Sequence, residues 1–170
     1  MNAESNTVEG NVNQRQAGTG RSESKRALEM MGSMAQRLRR GEKFREILGI
    51  ELEELAVMEA HAFSLYRKGQ YERAQTAALG ILAMDSDRFI PQLIVGDVAL
   101  ATHNFREAVT HLRRAHELAP QELGVLARLG EALAKKGEKK EARAHLEAVI
   151  SGAEKGASYL SRAEAILGAI

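Results

Sequence analysis

The sequence contains no cysteine and no tryptophan, and only two prolines in 170 residues. Without cysteine there is no disulfide framework, no thiolate chemistry and no Cys-based zinc site. That suits a reducing cytoplasm. Aromatic residues make up only 4% of the chain, although hydrophobic residues reach 44%. Strand formers are sparse outside short runs such as LIV, which favours an all-helical class. No apolar run approaches the ~20 residues of a membrane span. The opening MNAESNTVEGNVNQRQ is polar and does not read as a secretory signal. What the chain does have is small residues: fifteen glycines and many alanines, as close helix–helix contacts require.

The net charge of +1 hides an asymmetry. Residues 25–45 carry seven Lys/Arg against two Glu, whereas residues 46–170 carry fifteen Lys/Arg against eighteen Asp/Glu. A basic segment precedes a mildly acidic body, which is not the pattern of a generally basic nucleic-acid binder. Residues 1–23, rich in Asn, Ser, Gly, Thr and Gln, hold too little apolar surface to offset ordering entropy and read as a disordered tail. Helical periodicity starts with Leu28, Met31, Ala35 and Leu38, with Ser24 as the expected N-cap. Gly41 interrupts it. Phe44, Ile47 and Leu48 then form a second short stripe that ends at Gly49.

A phrase recurs from there on. GQYERA starts at Gly69, HNFREA at His103 and GEKKEA at Gly137, so the interval is the same both times. The units are 55–88, 89–122 and 123–156, without insertions. Position eight is small in each (Ala62, Gly96, Gly130), and position twenty is always alanine (Ala74, Ala108, Ala142). Position fifteen is Gly69, His103 and Gly137. Each unit reads as two helices joined by a tight turn. Small residues let the helices approach, and the turn needs a residue tolerant of left-handed backbone angles, His103 being less favourable there than glycine. Pro120 stands where the second unit's helix must stop. One hairpin cannot bury its own face, so the units must stack. Residues 157–170 continue as a helix, with Tyr159, Leu160, Ala163, Ile166, Leu167 and Ile170 along one side, suited to covering the last open face.

Little in the sequence points to catalysis. The five histidines form no HExxH motif and no i,i+4 pair, and His145 lies four residues after Glu141 as an ordinary helix-surface pair. GTGRSE at Gly18 is a poor phosphate loop, since no strand precedes it. There is no Walker motif, no Gly-x-Ser-x-Gly elbow and no isolated carboxylate pair. The expectation is a protein that is not an enzyme and needs no cofactor or metal.

The period and the order of small and large residues over 55–156 resemble the tetratricopeptide repeat. That resemblance implies an all-α solenoid of three helix pairs, with an N-terminal amphipathic helix and a C-terminal capping helix. Its domains would be the tail 1–23, a basic amphipathic segment 24–48 and a repeat domain 49–170. It further implies that the first helix of each pair lines a concave groove. The groove-facing residues would be Ala56, Glu59, Phe63, Tyr66 and Arg67 in the first unit, Ile90, Leu93, Asp97, Leu100 and Ala101 in the second, and Gly124, Ala127, Glu131, Ala134 and Lys135 in the third. Such a surface suits an extended peptide with apolar anchors, with internal packing as the alternative. Because position nine is Phe63, Asp97 and Glu131, an anionic chain end is expected to meet carboxylates there.

A narrower resemblance covers residues 44–156. LEELAVMEAHAFSLYRKGQYERA as first repeat, MDSDRF leading into the second, and three repeats between an amphipathic helix and a closing helix are similar to the class II chaperones of type III secretion. It implies a cytoplasmic chaperone whose groove, through residues such as Phe63, Tyr66 and Tyr71, holds an extended segment of a secreted hydrophobic translocator. Needle-subunit chaperones of the same systems and generic tetratricopeptide scaffolds are the competing readings. For the basic segment three accounts stand. It caps the first repeat or forms a homodimer contact through residues 25–48, it lies on an acidic membrane surface, or it touches nucleic acid. Its stripe lacks a Trp or Phe anchor, so stable membrane insertion is not expected, and the preferred account excludes nucleic acid.

Overall fold

The computed structural model describes residues 23–154 and 156–170. The expected tail and the Gly18 stretch therefore lie outside the described residues, except residue 23, which is helical. The chain divides into two compact units, Met1–Gly49 and Ile50–Ile170.

The first unit holds α1 (residues 23–39) and α2 (Phe44–Leu48). Ser24 lies within α1 rather than capping it, because helix is already present at residue 23. Gly41, at φ 86°, turns the chain between the two helices. The Glu46 carboxylate accepts the Lys43 backbone N–H at 3.0 Å, which satisfies a free donor at the start of α2. Gly49 closes α2 in the left-handed region at φ 70°. Leu28, Met30, Met31 and Leu38 of α1 are exposed.

The second unit is a run of antiparallel helix pairs: α3 (Leu52–Arg67) with α4 (Tyr71–Met84), α5 (Phe89–Ala101) with α6 (Phe105–Leu118), and α7 (Leu123–Lys136) with α8 (Lys139–Gly152). Helix α9 (Leu160–Ala169) follows, packed on α7 and α8. The second helices start at Tyr71, Phe105 and Lys139, so the period of the sequence is also the period of the backbone. The turns that precede them repeat in detail. Gly69, His103 and Gly137 have φ of 73°, 62° and 97°. The N–H of the next residue donates back to the preceding helix each time, Gln70 to Leu65 at 3.0 Å, Asn104 to Ala99 at 2.8 Å and Glu138 to Leu133 at 2.9 Å. These are the reverse bonds of a Schellman helix ending, which requires a left-handed residue. His103 is the only non-glycine residue with positive φ among the described residues, and it bears a strain that glycine would not.

The small positions are where the paired helices touch. A Cβ on Gly96 would lie 2.6 Å from Leu112 Cγ, and one on Gly130 would lie 2.8 Å from Leu146 Cγ. In the first repeat the corresponding residues are Ala62 and Ala78, both fully buried. Volume is thus exchanged across the interface, with glycine facing leucine in two repeats and alanine standing at both positions in the first. Ala74, Ala108 and Ala142 are likewise fully buried. Pro91 sits in the first turn of α5, where its missing N–H costs nothing, and Pro120 lies just beyond the end of α6. The buried side chains form two clusters, one running from Leu55 to Val98 and the other from Ala99 to Ala163.

Helix α9 does more than close the stack, because it continues the register. Leu126, Arg128 and Leu133 of α7 recur one period later as Leu160, Arg162 and Leu167. It takes the place of the first helix of a fourth unit. Among the described residues no strand is present, and no helix is long and apolar enough to cross a membrane.

Candidate functional site: the cleft along α3, α5, α7 and α9

The first helices of the successive units line an open cleft of about 350 Å³. Tyr66 stands at its α3 end, followed by Asp97 and Leu100 of α5, Ala127, Arg128, Glu131 and Lys135 of α7, and Arg162 and Ile166 of α9. Tyr159 and His103 contribute from the adjoining turns.

Two ion pairs of the same design cross its floor. Arg128 donates from Nε to Asp97 at 2.9 Å, and Arg162 donates from Nη2 to Glu131 at 2.6 Å. Each joins an acid at position nine of one unit to an arginine at position six of the next. Nearer the start of the stack, Glu59 takes a two-pronged contact from Arg88, at 2.6 and 2.8 Å. All three acids are buried, Asp97 at 3% exposure, Glu131 at 5% and Glu59 at 6%. Burial pushes the Asp97 carboxyl up to about 6, and the neighbouring Arg128 only partly offsets it. The Tyr66 hydroxyl is raised by burial and by the nearby Asp97. The Arg162 guanidinium is raised by its hydrogen bond to Glu131.

The acids lie beneath and the bases above. The side chains of Arg128, Lys135 and Arg162 are 39%, 46% and 69% exposed. The expectation that an anionic group would meet carboxylates is therefore reversed. Arginines of the next unit cover the carboxylates, so the exposed charges along the cleft are cationic. The signal was present in the sequence as two arginines one period apart, each at the same remove from an acid before it, but it stays mute until the register of neighbouring helices is known.

Of the residues anticipated from sequence, Tyr66, Asp97, Leu100, Ala101, Ala127, Glu131 and Lys135 line this cleft, whereas Gly124 and Ala134 line neighbouring ones. Phe63 is 40% exposed beside it. Its ring lies 6.2 Å from that of Tyr66, which lies 5.9 Å from that of Tyr71, so the first repeat presents an aromatic cluster. Arg67 is exposed on the same helix. Glu59 and Ile90 line a separate, smaller cleft of about 240 Å³ with Arg88 and Phe89. Leu93 is partly buried against the second core cluster. Sequence reasoning did not single out Arg128, Arg162 or His103 for the groove.

Away from the cleft, tertiary structure brings two histidines together that sequence spacing kept apart. The His116 and His145 rings meet edge to face at 6.4 Å. His116 Nδ1 is buried with no hydrogen-bond partner among the described residues, and burial lowers its proton affinity. His145 faces Glu141 at 3.6 Å. Among the described residues no group of three or more His, Asp or Glu is arranged to hold a metal ion.

The architecture of Ile50–Ile170 is a tetratricopeptide-repeat solenoid. Residues 99–167 match the tetratricopeptide repeat family model, a span that runs through the third repeat into α9. No curated protein sequence matches the chain. Several solved structures share the fold. The type III secretion translocator chaperone SycD of Yersinia enterocolitica superposes with a TM-score of 0.65 at 21% identity, over 76% of this chain and 98% of that one. A type III secretion system complex from Aeromonas hydrophila gives 0.69 at 18% identity, over 81% and 94%. SycD in complex with a peptide of the translocator YopD gives 0.63 at 20% identity, over 70% and 93%. This chain thus resembles translocator chaperones of type III secretion in fold, along nearly the full length of each.

Proposed function

We propose that this chain is a cytoplasmic chaperone that binds an extended segment of a type III secretion translocator in its cleft and keeps it soluble until export. The observation that carries the reading is the aromatic cluster of Phe63, Tyr66 and Tyr71 at the head of an open cleft, with the Phe63 and Tyr71 rings exposed. Exposed apolar clusters beside a concave surface mark a binding site for another chain. SycD, alike in fold, is known in complex with a peptide of the translocator YopD, which supports a peptide-binding role. The action is binding, not catalysis. A translocator carries apolar membrane-spanning segments that aggregate if left free. Holding one such stretch shifts that protein toward a soluble state by mass action. The exposed stripe of α1, with Leu28, Met31 and Leu38, serves as a contact between two copies of the chain on this reading.

Coexpression tests it. The chain should keep soluble a secreted protein with apolar segments encoded beside it, and Phe63→Ala with Tyr66→Ala should abolish that effect while circular dichroism shows the helices intact. Unchanged solubilisation by the double variant would remove the cleft from the mechanism. Deletion of residues 1–45 should yield a monomer in sedimentation, and a dimer that persists would place the self-contact elsewhere.

A further inference from the structure

The cleft is not uniform, and its two ends differ in chemistry. At the α3 end it offers aromatic surface from Phe63 and Tyr66. At the α7–α9 end the exposed groups are Arg128, Lys135 and Arg162. Three cations stand over two carboxylates there, which leaves one positive charge in surplus, and the geometry puts the positive groups outward. Lys135 is the surplus base. Its Nζ lies 3.9 Å from Glu131, whose nearer partner is Arg162 at 2.6 Å. A carboxylate brought between Lys135 and Arg162 gains charge-assisted hydrogen bonds without displacing a buried acid. An apolar residue in the same place would strand those cations.

Resting on the peptide-binding reading above, we infer that the guest segment carries an acidic side chain, held by Lys135 and Arg162, at a fixed distance from an apolar anchor seated on Phe63 and Tyr66. The acid is internal to the guest and is not its chain end. Beyond the two cations a second cleft of about 330 Å³ continues, walled by Ala134, Ala165, Ile166 and Ile170, so the bound chain has apolar surface to follow after the acidic residue. The spacing follows from the stack. Packed helices lie ~8–10 Å apart, so α3 and the α7–α9 seam are separated by roughly 20–25 Å. An extended chain covers ~3.3 Å per residue, which puts the acid about six or seven residues from the anchor.

The test uses synthetic fluorescent twelve-residue peptides, acetylated and amidated, with leucine fixed near one end of a Ser/Ala background. A single glutamate is walked through the remaining positions, in both chain directions, with a glutamine twin for each peptide. Fluorescence polarisation against the full chain should show tightest binding when glutamate stands about six or seven residues from leucine, at least fivefold tighter than the glutamine twin. Lys135→Gln should erase most of that preference, so that the glutamate peptide and its glutamine twin bind nearly alike. Arg162→Gln, which keeps a donor for Glu131, should act in the same direction. Equal binding of glutamate and glutamine peptides, with leucine still required, overturns the acidic subsite and leaves the peptide-binding reading standing. A preference that appears only with a free C-terminal carboxylate also overturns it, in favour of chain-end capture. Failure of every peptide, leucine included, overturns the peptide-binding reading and this inference with it.

Discussion

The first repeat and the third are built on the same backbone and expose opposite chemistry. Their second helices begin at the same position of the period, after left-handed glycines at 69 and 137. Yet position nine is Phe63 in the first, exposed and stacked near Tyr66, and Glu131 in the third, buried under Arg162. At position six of the unit that follows, the first repeat meets the buried Ile94, whereas the third meets Arg162. Every exposed large hydrophobic side chain among the described residues lies between residues 28 and 79. The repeat fixes spacing and packing through a few small residues. It leaves the cleft-facing positions free to be apolar at one end and ionic at the other.

Four experiments break or sharpen that contrast. The largest effect belongs to the packing seam. Leu146→Ala should cost about 2–5 kcal/mol as a core truncation, and Gly130→Ala about 1–3 kcal/mol as an overpacking change against Leu146. Made together they recreate the Ala62/Ala78 pair of the first repeat, so urea denaturation of the double variant should show a loss clearly below the sum. An additive result would mean that the two positions do not exchange volume.

Next comes the ionic floor. The folded Asp97 carboxyl, at about 6, lies above the ~3.9 of an unfolded aspartate. The native state therefore holds the proton more tightly between pH 4 and 6, and ionising Asp97 lowers stability as pH rises through that window. Asp97→Asn removes this slope. Relative to the variant, the parent should lose on the order of 2 kcal/mol between pH 4 and pH 7, read by denaturation at several pH values. Parallel profiles would show that Asp97 titrates as it does in the unfolded chain.

A smaller effect is expected of Arg162→Ala. Among the described residues it leaves the buried Glu131 with Lys135 at 3.9 Å as its remaining ionic partner. Loss of a partner from a buried pair costs several kcal/mol, but Arg162 is largely exposed and water can enter, so about 1–2 kcal/mol is expected in thermal unfolding. The smallest change is Phe63→Ala, which strips an exposed ring from the other end. Stability should shift by about 1 kcal/mol, because two-fifths of the residue is already exposed and only the covered remainder is lost. A loss as large as that of Leu146→Ala would show that the first repeat's aromatics are core rather than surface.

Much of the fold is legible in the sequence. A motif recurring at a fixed period, with helical spacing inside each period, is met by stacking one helix hairpin repeatedly, so the phrases at Gly69, His103 and Gly137 mark the turns and the alanines at position twenty mark the contacts. Two features were not legible. The closing segment read as a generic cap, because its match to α7 rests on Leu160, Arg162 and Leu167 alone. The sign of the cleft was misread, because acids counted along one helix look available until the arginines of the next helix are laid over them.

By itself, then, the sequence determined the period, the helix pairs, the turns and the positions that must be small, since all of these depend on contacts within one unit or between residues one period apart. Only the tertiary structure decided which charges face the cleft and which lie beneath it. Whether Asp97 or Arg128 meets a guest depends on how one helix lies across the next, and burying the carboxylate under a guanidinium turns an acidic list of residues into a cationic surface.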